Sequence, residues 1–246
     1  MGNEPERYTK SGQPVYKYDT TPEYQKPNSC NSAMEEIVKH FEKHIGTAKN
    51  TYHEIVSNFV HIDIHIIPPD GTRDYYTLFT TGMSDLRMSV PDGAEDFKNA
   101  ELMICLPKSW PVSEKDLKDE RNYWPIRWLK MLARFPHEYN TWLGFGHTMP
   151  NGDPAKPFNS NTRLCCMMLS TPTIAENIDE FKRLDVNYYK QINFYSVLPV
   201  YKEEMNFKLD NSAEDLIVKF KENNINEILN LDRINVCERR KRFLFF

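Results

Sequence analysis

The chain has 246 residues, 40% of them hydrophobic, and a formal net charge of −4 with both signs intermixed. A chain of this size and composition can bury a substantial core. It contains no run of eighteen apolar residues of the kind that crosses a membrane. Affinity for nucleic acid depends chiefly on basic charge, so this balance argues against a nucleic-acid partner. We therefore expect a folded protein whose partner is neither a membrane nor a nucleic acid.

The N-terminal segment lacks the apolar core of a secretory signal peptide. The five cysteines are scattered along the chain and include no C-x-x-C pair. We interpret them as reduced, small hydrophobic residues of a cytoplasmic protein. The chain also has no P-loop, no G-x-G-x-x-G and no metal-finger spacing, so we expect no cofactor.

The first half of the chain predicts an arm, a helix and three strands. Residues 1–30 show no periodicity and predict an irregular arm. A capping box at Ser32 and Glu35 predicts a helix that ends near Ile45. Alternation of apolar and polar residues predicts a half-buried strand, and two further β-rich runs follow it. The three predicted strands are Val60–Ile67, Tyr75–Thr81 (paired with the first as a hairpin) and Ala100–Leu106.

The stretch from Tyr123 to Gly152 carries the densest signal. Six apolar residues recur at helical spacing, with Pro125 expected in the first turn and Pro136 expected to end the helix. Residues 141–148 alternate between large and small side chains, which predicts a strand. Gly144 and Gly146 would lie on the same face of this strand and leave it bare, so that a partner can approach closely. Asn151 and Gly152 then predict a turn.

The last third predicts two strands and several short helices. The strands are Arg163–Leu169 and Asn193–Leu198, and the helices are Thr173–Phe181, Tyr201–Phe207, Ser212–Lys221 and one or two turns in Ile225–Leu231. Helices at the start, middle and end, with strands mostly joined by short turns, predict one α+β domain. Its core would be a central twisted mixed sheet, largely antiparallel, flanked by helices. We expect an irregular arm at 1–30, the domain at 31–237, and a basic and aromatic tail at 238–246.

Three groups of residues raise the possibility of catalysis. His61, Asp63 and His65 would project from one face of a strand, where two imidazoles and a carboxylate suit zinc or iron. The alternative interpretation is a polar row that faces water, which we favour. His53 opens an H-E-x-x-H-like run but has Ser57 in place of the second histidine. Ser84 lacks the second glycine of a nucleophile elbow, so a local turn explains it better.

Several stretches in order are similar to one known family. They are Tyr76–Leu86, Glu101–Pro107, Trp124–Pro136, Trp142–Thr148, Met167–Ser170 and the strand into Pro199, with Glu203 and Glu204 behind it. Together they span roughly residues 33–235, and in this combination the chain resembles a bacterial member of the suppressor of fused (SUFU) domain family. Animal relatives carry a second domain, and we expect this chain to contain only one because it ends early.

The resemblance implies a non-enzymatic protein-binding domain, because bacterial relatives are similar to immunity proteins (antitoxins) that bind and neutralise toxins encoded nearby. On this interpretation the partner is a toxin domain, although the residues specify neither the toxin nor an oligomeric state. We expect the binding surface near Ser84, Asp85, Arg87, Trp142 and His147. Two other hypotheses stay open: a metal-dependent hydrolase using His61, Asp63 and His65, and a regulator that sequesters a transcription factor.

Overall fold

The structure is a computed structural model that describes residues 4–18, 23–26, 33–53 and 58–238. Within these ranges the strands are β1 (Arg7–Tyr8), β2 (Pro14–Val15), β3 (Asn50–Tyr52), β4 (Asp63–Ile67), β5 (Tyr75–Thr81), β6 (Ala100–Pro107), β7 (Thr148–Pro150), β8 (Cys166–Ser170), β9 (Arg183–Asn187) and β10 (Lys190–Val200). The α-helices are α1 (Met34–His44), α2 (Glu120–Glu138), α3 (Ile178–Phe181), α4 (Lys202–Asp210) and α5 (Ala213–Glu222). No helix in these ranges combines the length and apolar character needed to cross a bilayer.

The main sheet has eight strands in the order β3-β4-β5-β6-β10-β8-β7, and β9 pairs with β10 beside this path. Among the described strands, only β6 and β10 pair in parallel; the other pairings are antiparallel. The predicted α+β domain with a mixed, largely antiparallel sheet is therefore confirmed.

Both faces of the sheet are covered. One face packs against α2 through residues such as Ile64 and Leu78, and the opposite face packs against α1 through Phe41 and Phe79, whose rings stack at 3.8 Å. A third cluster joins β8 and β10 to α5. Neighbours along a strand point to opposite faces, so a sheet covered twice requires apolar residues at consecutive positions, as in β6.

Five of the six strand predictions were confirmed in position; one of them, Arg163–Leu169, is β8, which begins only at Cys166 and ends at Ser170. Tyr75–Thr81 is confirmed at both ends, and Ala100–Leu106 extends by one residue to Pro107. The predicted Val60–Ile67 begins only at Asp63, although its four alternate apolar residues are buried in one cluster as expected. The strand predicted for Asn193–Leu198 is longer, because β10 begins at Lys190 and ends at Val200.

Helix α2 is longer than the helix that the sequence predicted. It begins at Glu120, where the Asp119 side chain accepts a hydrogen bond from Arg121 N, so Pro125 lies in the second turn and not the first. It continues past Pro136, which was wrongly expected to end it. A proline removes only its own N–H, and Tyr139 N still donates to Phe135 O at 3.1 Å. The predicted apolar stripe is confirmed, since Trp124, Trp128, Leu129, Leu132 and Ala133 are all buried.

The predicted strand at 141–148 is wrong. This segment is a loop with a turn, and only Thr148 belongs to a strand, β7. Its glycines are not bare, because a Cβ at Gly144 would meet the Trp142 ring at 2.7 Å and one at Gly146 would meet Ala213 at 2.9 Å. The small residues therefore make room for the chain's own side chains.

Two helix predictions were wrong in extent or existence. The helix expected at Thr173–Phe181 is present only as α3, whereas the helix predicted for Ser212–Lys221 is confirmed as α5, which Ser212 caps. The helix expected within Ile225–Leu231 is absent, because Ile228 forms a parallel bridge with Cys105 and Leu229 N donates to Cys105 O. This segment pairs with β6 beyond the point where β10 leaves it.

The predicted N-terminal arm includes a short hairpin, β1–β2, which contacts α4. Ser11 Oγ donates to Leu209 O at 3.0 Å, and Lys208 Nζ donates to Gln13 Oε1 at 3.0 Å. Tyr18 then packs edge-on against Phe135 at the end of α2. Ser32 of the predicted capping box, and residues 239–246 of the predicted tail, lie outside the described ranges, so the boundaries near 30 and 238 stay predictions.

A buried ion pair attaches the C-terminal segment to the sheet. The two Nη atoms of Arg233 each lie 2.6 Å from a carboxylate oxygen of Glu204, whose side chain has no exposed surface. The carboxylate also accepts from Tyr201 N and Val236 N. Its charge is therefore both paired and hydrogen-bonded, as a buried charge requires.

Arg233→Leu should lower the free energy of unfolding by about 3–5 kcal/mol, because it leaves the carboxylate of Glu204 buried without its countercharge. The matched control is Arg163→Leu. Arg163 also lies over the Tyr201 ring, but its pair with Glu238 is exposed, so the loss should stay under about 1 kcal/mol. Urea unfolding measures both, and equal losses would contradict the assignment.

Candidate functional site

The strongest candidate region is the sheet end where β5 stops and β4 and β6 begin. Asp63, the first residue of β4, pairs with Thr81, the last residue of β5. A tight turn, Gly82–Leu86, follows directly and includes a 3₁₀ helix at Met83–Asp85. Three of the five residues predicted for partner binding lie on or beside this turn.

Gly82 is required for the turn. Its φ is +103°, and a Cβ built at this position would lie 1.9 Å from the carbonyl oxygen of His61. Both the left-handed backbone and the contact exclude a side chain. The turn is therefore held against the chain segment that leads into β4.

The buried side chain of Glu101 anchors the Gly82–Leu86 turn through hydrogen bonds. Its Oε1 accepts from Ser84 N at 2.9 Å, and Thr80 Oγ1 lies 2.5 Å from its Oε2. Burial raises the pKa of this carboxyl group to about 7, and these hydrogen bonds limit the increase. Ser84 itself is 2% exposed, so its role in the structure is to fix the turn through its backbone.

Asp85 links the turn to a neighbouring hairpin. Its Oδ1 lies 4.0 Å from Nζ of Lys190, the first residue of β10. Just before Lys190, the tip of the β9–β10 hairpin carries Tyr188 and Tyr189, which are 94% and 77% exposed. Their rings meet edge-to-face at 5.1 Å. The ion pair thus sets two exposed aromatic rings beside the turn.

The other two predicted residues contact each other. The rings of Trp142 and His147 are 4.5 Å apart in an edge-to-face arrangement. Burial, together with the nearby charge of Lys208, lowers the pKa of His147 to about 4, although a hydrogen bond with the Trp142 backbone opposes the shift. His147 is therefore neutral at pH 7.

Hydrogen bonds between adjacent segments join the Gly82–Leu86 turn to the loop that carries Trp142 and His147. Ser89 N donates to Thr141 O at 3.0 Å, and Leu143 N donates to Met88 Sδ at 3.4 Å. His137 Nε2 donates to the carbonyl of Met83 at 2.9 Å. The structure therefore places the turn against the end of α2 and the loop after it. Of the five predicted residues, Arg87 is fully at the surface.

The predicted polar row on β4 does not face water. Asp63 is 2% exposed and His65 is 5% exposed. His65 stacks on Phe79 at 4.9 Å and hydrogen-bonds with Thr51 and Thr81. Alternation identified the apolar face correctly, but it carries no information about whether α1 covers the second face. The structure does not bring His61, Asp63 and His65 together as one set of metal ligands, because both ring nitrogens of His65 are hydrogen-bonded to threonines.

His53 takes the place predicted for His65. The antiparallel pairing of β3 with β4 sets Tyr52 against Ile64, so the next residue, His53, comes opposite Asp63. Its Nδ1 and the Nε2 of His61 each lie 3.1 Å from Asp63 Oδ1. These three ligand-type atoms lie within 4.8 Å of one another. No pattern had predicted β3, so the sequence carried no signal for this juxtaposition.

The buried cysteine thiols are not arranged for redox chemistry. Cys105, Cys165 and Cys166 are buried and form no disulfide. Burial raises the pKa of the Cys105 and Cys166 thiols far above the usual range, which suppresses the reactive thiolate. They fill the core as small hydrophobic side chains.

Comparison with known proteins agrees with this architecture. The sequence matches the family described as Suppressor of fused protein (SUFU) over residues 59–234, which is most of the chain. The chain belongs to the SUFU family. The match includes the Gly82–Leu86 turn, α2 and β10, so the elements that form the candidate region lie within the SUFU part of the chain. No curated protein matches the sequence.

Solved SUFU structures share the fold at low sequence identity. A homologue from Neisseria gonorrhoeae FA 1090 superposes with a TM-score of 0.57 at 15% identity, covering 83% of this chain and 97% of that one. A Sufu–Fu complex gives 0.58 at 13%, with 83% and 92% covered. Drosophila Suppressor of Fused gives 0.56 at 12%, with 90% of this chain but only 54% of the fly protein covered.

Gly82→Ala should unfold far more easily than Gly93→Ala. Both glycines have positive φ, +103° and +85°, so both alanine variants bear a backbone cost of about 1–2 kcal/mol. Only Gly82 has a neighbour in the way, and displacing the His61 carbonyl should add about 3 kcal/mol. Urea midpoints compare the two, and similar losses would show that the Gly82–His61 contact is not tight.

Glu101→Gln should remove a pH dependence of stability. The folded protein retains the Glu101 proton up to about pH 7, whereas the usual carboxyl pKa is 4.5. Between these values the unfolded chain binds fewer protons, so wild-type stability falls as pH rises, by up to about 3 kcal/mol. The difference between wild type and variant isolates Glu101, because the histidines titrate in both. A difference that stays constant from pH 4.5 to 7 would contradict the buried, protonated carboxyl.

Proposed function

We propose that this SUFU-family chain is a non-enzymatic protein-binding module and acts as an immunity protein. In the cytoplasm it neutralises a toxin domain, encoded nearby, by covering the surface that the toxin uses. Family membership supports protein binding, since one structural relative was solved as a Sufu–Fu complex. The bacterial homologue, 97% of whose chain is covered by the match, has the same fold over nearly all of its length.

The exposed aromatic tip is the observation that carries the proposal. Tyr188 and Tyr189 expose almost all of their surface at the end of a hairpin, and each presents an apolar ring with a polar end. Large rings of this kind are favoured anchors of protein interfaces, because they bury much area with few rotatable bonds. Exposed apolar groups grouped together mark interaction sites more often than isolated ones do.

A second exposed surface lies beside the tip of the β9–β10 hairpin. Asp85 and Lys190 hold it beside the Gly82–Leu86 turn, which exposes Leu86 (38% exposed) and Arg87. Arginine beside tyrosine is a common composition for the centre of an interface. We propose the turn and the tip as the binding surface. In this proposal Ser84 supports the turn from within, and Trp142 and His147 support its flank.

The overall charge suits a basic partner. A net charge of −4 gives the chain a mild excess of acidic groups. Complementary charge speeds diffusional encounter more than it strengthens the final complex. A toxin that acts on nucleic acid carries the basic surface that such an inhibitor would meet.

The double variant Tyr188→Ala/Tyr189→Ala should raise the Kd for the toxin about 30-fold or more and abolish protection of cells that express the toxin, because two anchors are lost. The matched control is Tyr8→Ala/Tyr24→Ala, which removes two tyrosines exposed by 66% and 65% elsewhere on the surface. Titration calorimetry with the neighbouring gene's product measures Kd, and a growth assay measures protection.

Two results would contradict the proposal. If both double variants bind the toxin as tightly as the wild type, the tip is not the interface. If the neighbouring gene's product does not bind and a transcription factor co-purifies in its place, the chain is a sequestering regulator and not an immunity protein.

A further inference from the structure

Three side chains at the ends of two adjacent strands converge next to the Gly82–Leu86 turn. His53 follows β3, His61 precedes β4, and Asp63 begins β4. Asp63 Oδ1 lies 3.1 Å from His53 Nδ1 and 3.1 Å from His61 Nε2. The predicted row placed His61 and Asp63 with His65 along one strand, whereas the fold brings His53 to Asp63 and His61.

Of these three side chains, the Asp63 carboxylate gives the strongest indication of a bound cation. Its side chain is 3% exposed, and its Oδ1 accepts no hydrogen bond from any residue that the structure describes. Buried carboxylate oxygens elsewhere in the chain behave differently. Glu101 and Glu204 each accept well-aligned bonds from backbone N–H groups. A buried anionic oxygen without such a bond is costly unless a cation occupies the space before it.

The spacing of the three atoms fits a shared ion. Zn²⁺ binds imidazole nitrogen and carboxylate oxygen at about 2.0–2.2 Å, so two ligands at a tetrahedral angle are about 3.3 Å apart. Both nitrogen–oxygen distances here are 3.1 Å. The two nitrogens also lie within 4.8 Å of each other, a separation that a small shift of either ring reduces to the tetrahedral value.

The scaffold holds the ligands in place. The register of β3 with β4 fixes His53 opposite Asp63, and the close contact of Gly82 with the His61 carbonyl fixes the backbone of the second histidine. Sites built on paired strands are more precise than sites built on loops alone. The histidine side chains are 68% and 35% exposed, so an ion can enter from solvent.

We propose that His53, His61 and Asp63 bind one divalent transition-metal ion, with Zn²⁺ as the expected species. Two imidazoles and one carboxylate leave a fourth position, which faces solvent on the side of the exposed histidines. The ion cross-links the end of β3 to the start of β4 and so braces the backbone on which Gly82 rests. This site is independent of toxin binding, and each can fail without the other.

Untagged full-length protein, stripped with a chelator, is the sample for the test. Titration with ZnCl₂ alone, followed by calorimetry, should give one ion per chain, and elemental analysis after desalting should recover the same ratio. Thermal unfolding should shift to higher temperature with added Zn²⁺, because the ion binds the folded chain. Co²⁺ in place of Zn²⁺ should give the visible absorption of a tetrahedral site.

His53→Gln is the decisive variant, because this side chain is 68% exposed and its loss does not disturb the core. Its affinity for Zn²⁺ should fall by on the order of 100-fold, since loss of even a supporting outer residue costs about 10–100-fold. Two controls accompany it. His65→Gln removes the histidine favoured by the strand pattern, and His44→Gln removes a half-buried histidine on α1.

Each result of these titrations either supports the metal site or overturns it. Stoichiometric binding that is lost in His53→Gln and retained in His44→Gln supports the site, and retention in His65→Gln confirms which histidines are ligands. If His65→Gln does not fold, the His53 and His44 variants still decide. Binding below one ion per chain, or equal affinity in wild type and His53→Gln, would overturn the proposal and leave an ion pair between Asp63 and its two histidines.

Discussion

The parallel pairing of β6 with β10 is the constraint on which the rest of the structure depends. It joins residues 100–103 to residues 193–196, which lie far apart in sequence. On one side of it lie the antiparallel strands β3, β4, β5 and β6, and on the other lie β8 and β7. Without this pairing the chain would be two smaller sheets, each with an unpaired edge.

The length of β10 turns this pairing into a site. The strand has 11 residues and pairs with three neighbours in succession: β9, β6 and β8. Its first residues extend beyond the start of β6, so the β9–β10 hairpin reaches the Gly82–Leu86 turn. The exposed tyrosines, the turn and the histidine–aspartate cluster thus share one end of the sheet because β10 is long.

Buried glutamates hold the loops that strands do not. Glu101 receives the N–H of Ser84, Glu204 receives those of Tyr201 and Val236, and Glu227 receives those of Thr173 and Ile174. Each carboxylate satisfies backbone donors that a loop leaves unpaired. Burial raises the pKa of Glu101 and Glu227, which shows the electrostatic cost of this arrangement. Of these three glutamates, only Glu204 has an arginine against its carboxylate among the described residues.

The local elements could be predicted well from the sequence because their signals are local. The β-rich run Tyr75–Thr81 matches its strand at both ends, and the apolar stripe of α2 is buried as its spacing indicated. The family resemblance also followed from the sequence, because it rests on several short stretches in a fixed order. Proline was less reliable, since Pro136 lies inside α2 and removes one hydrogen bond without ending the helix.

The sequence by itself determined most of the strands and helices and which of their faces are apolar. Only the tertiary structure decided that α1 buries the second face of β4, that residues 141–148 form a loop around Trp142, and that His53 meets Asp63 in place of His65. The physical reason is that periodicity reports the orientation of a residue within its own element. The neighbour that the residue meets is set by strand register and by helix packing, which bring together residues far apart in the chain.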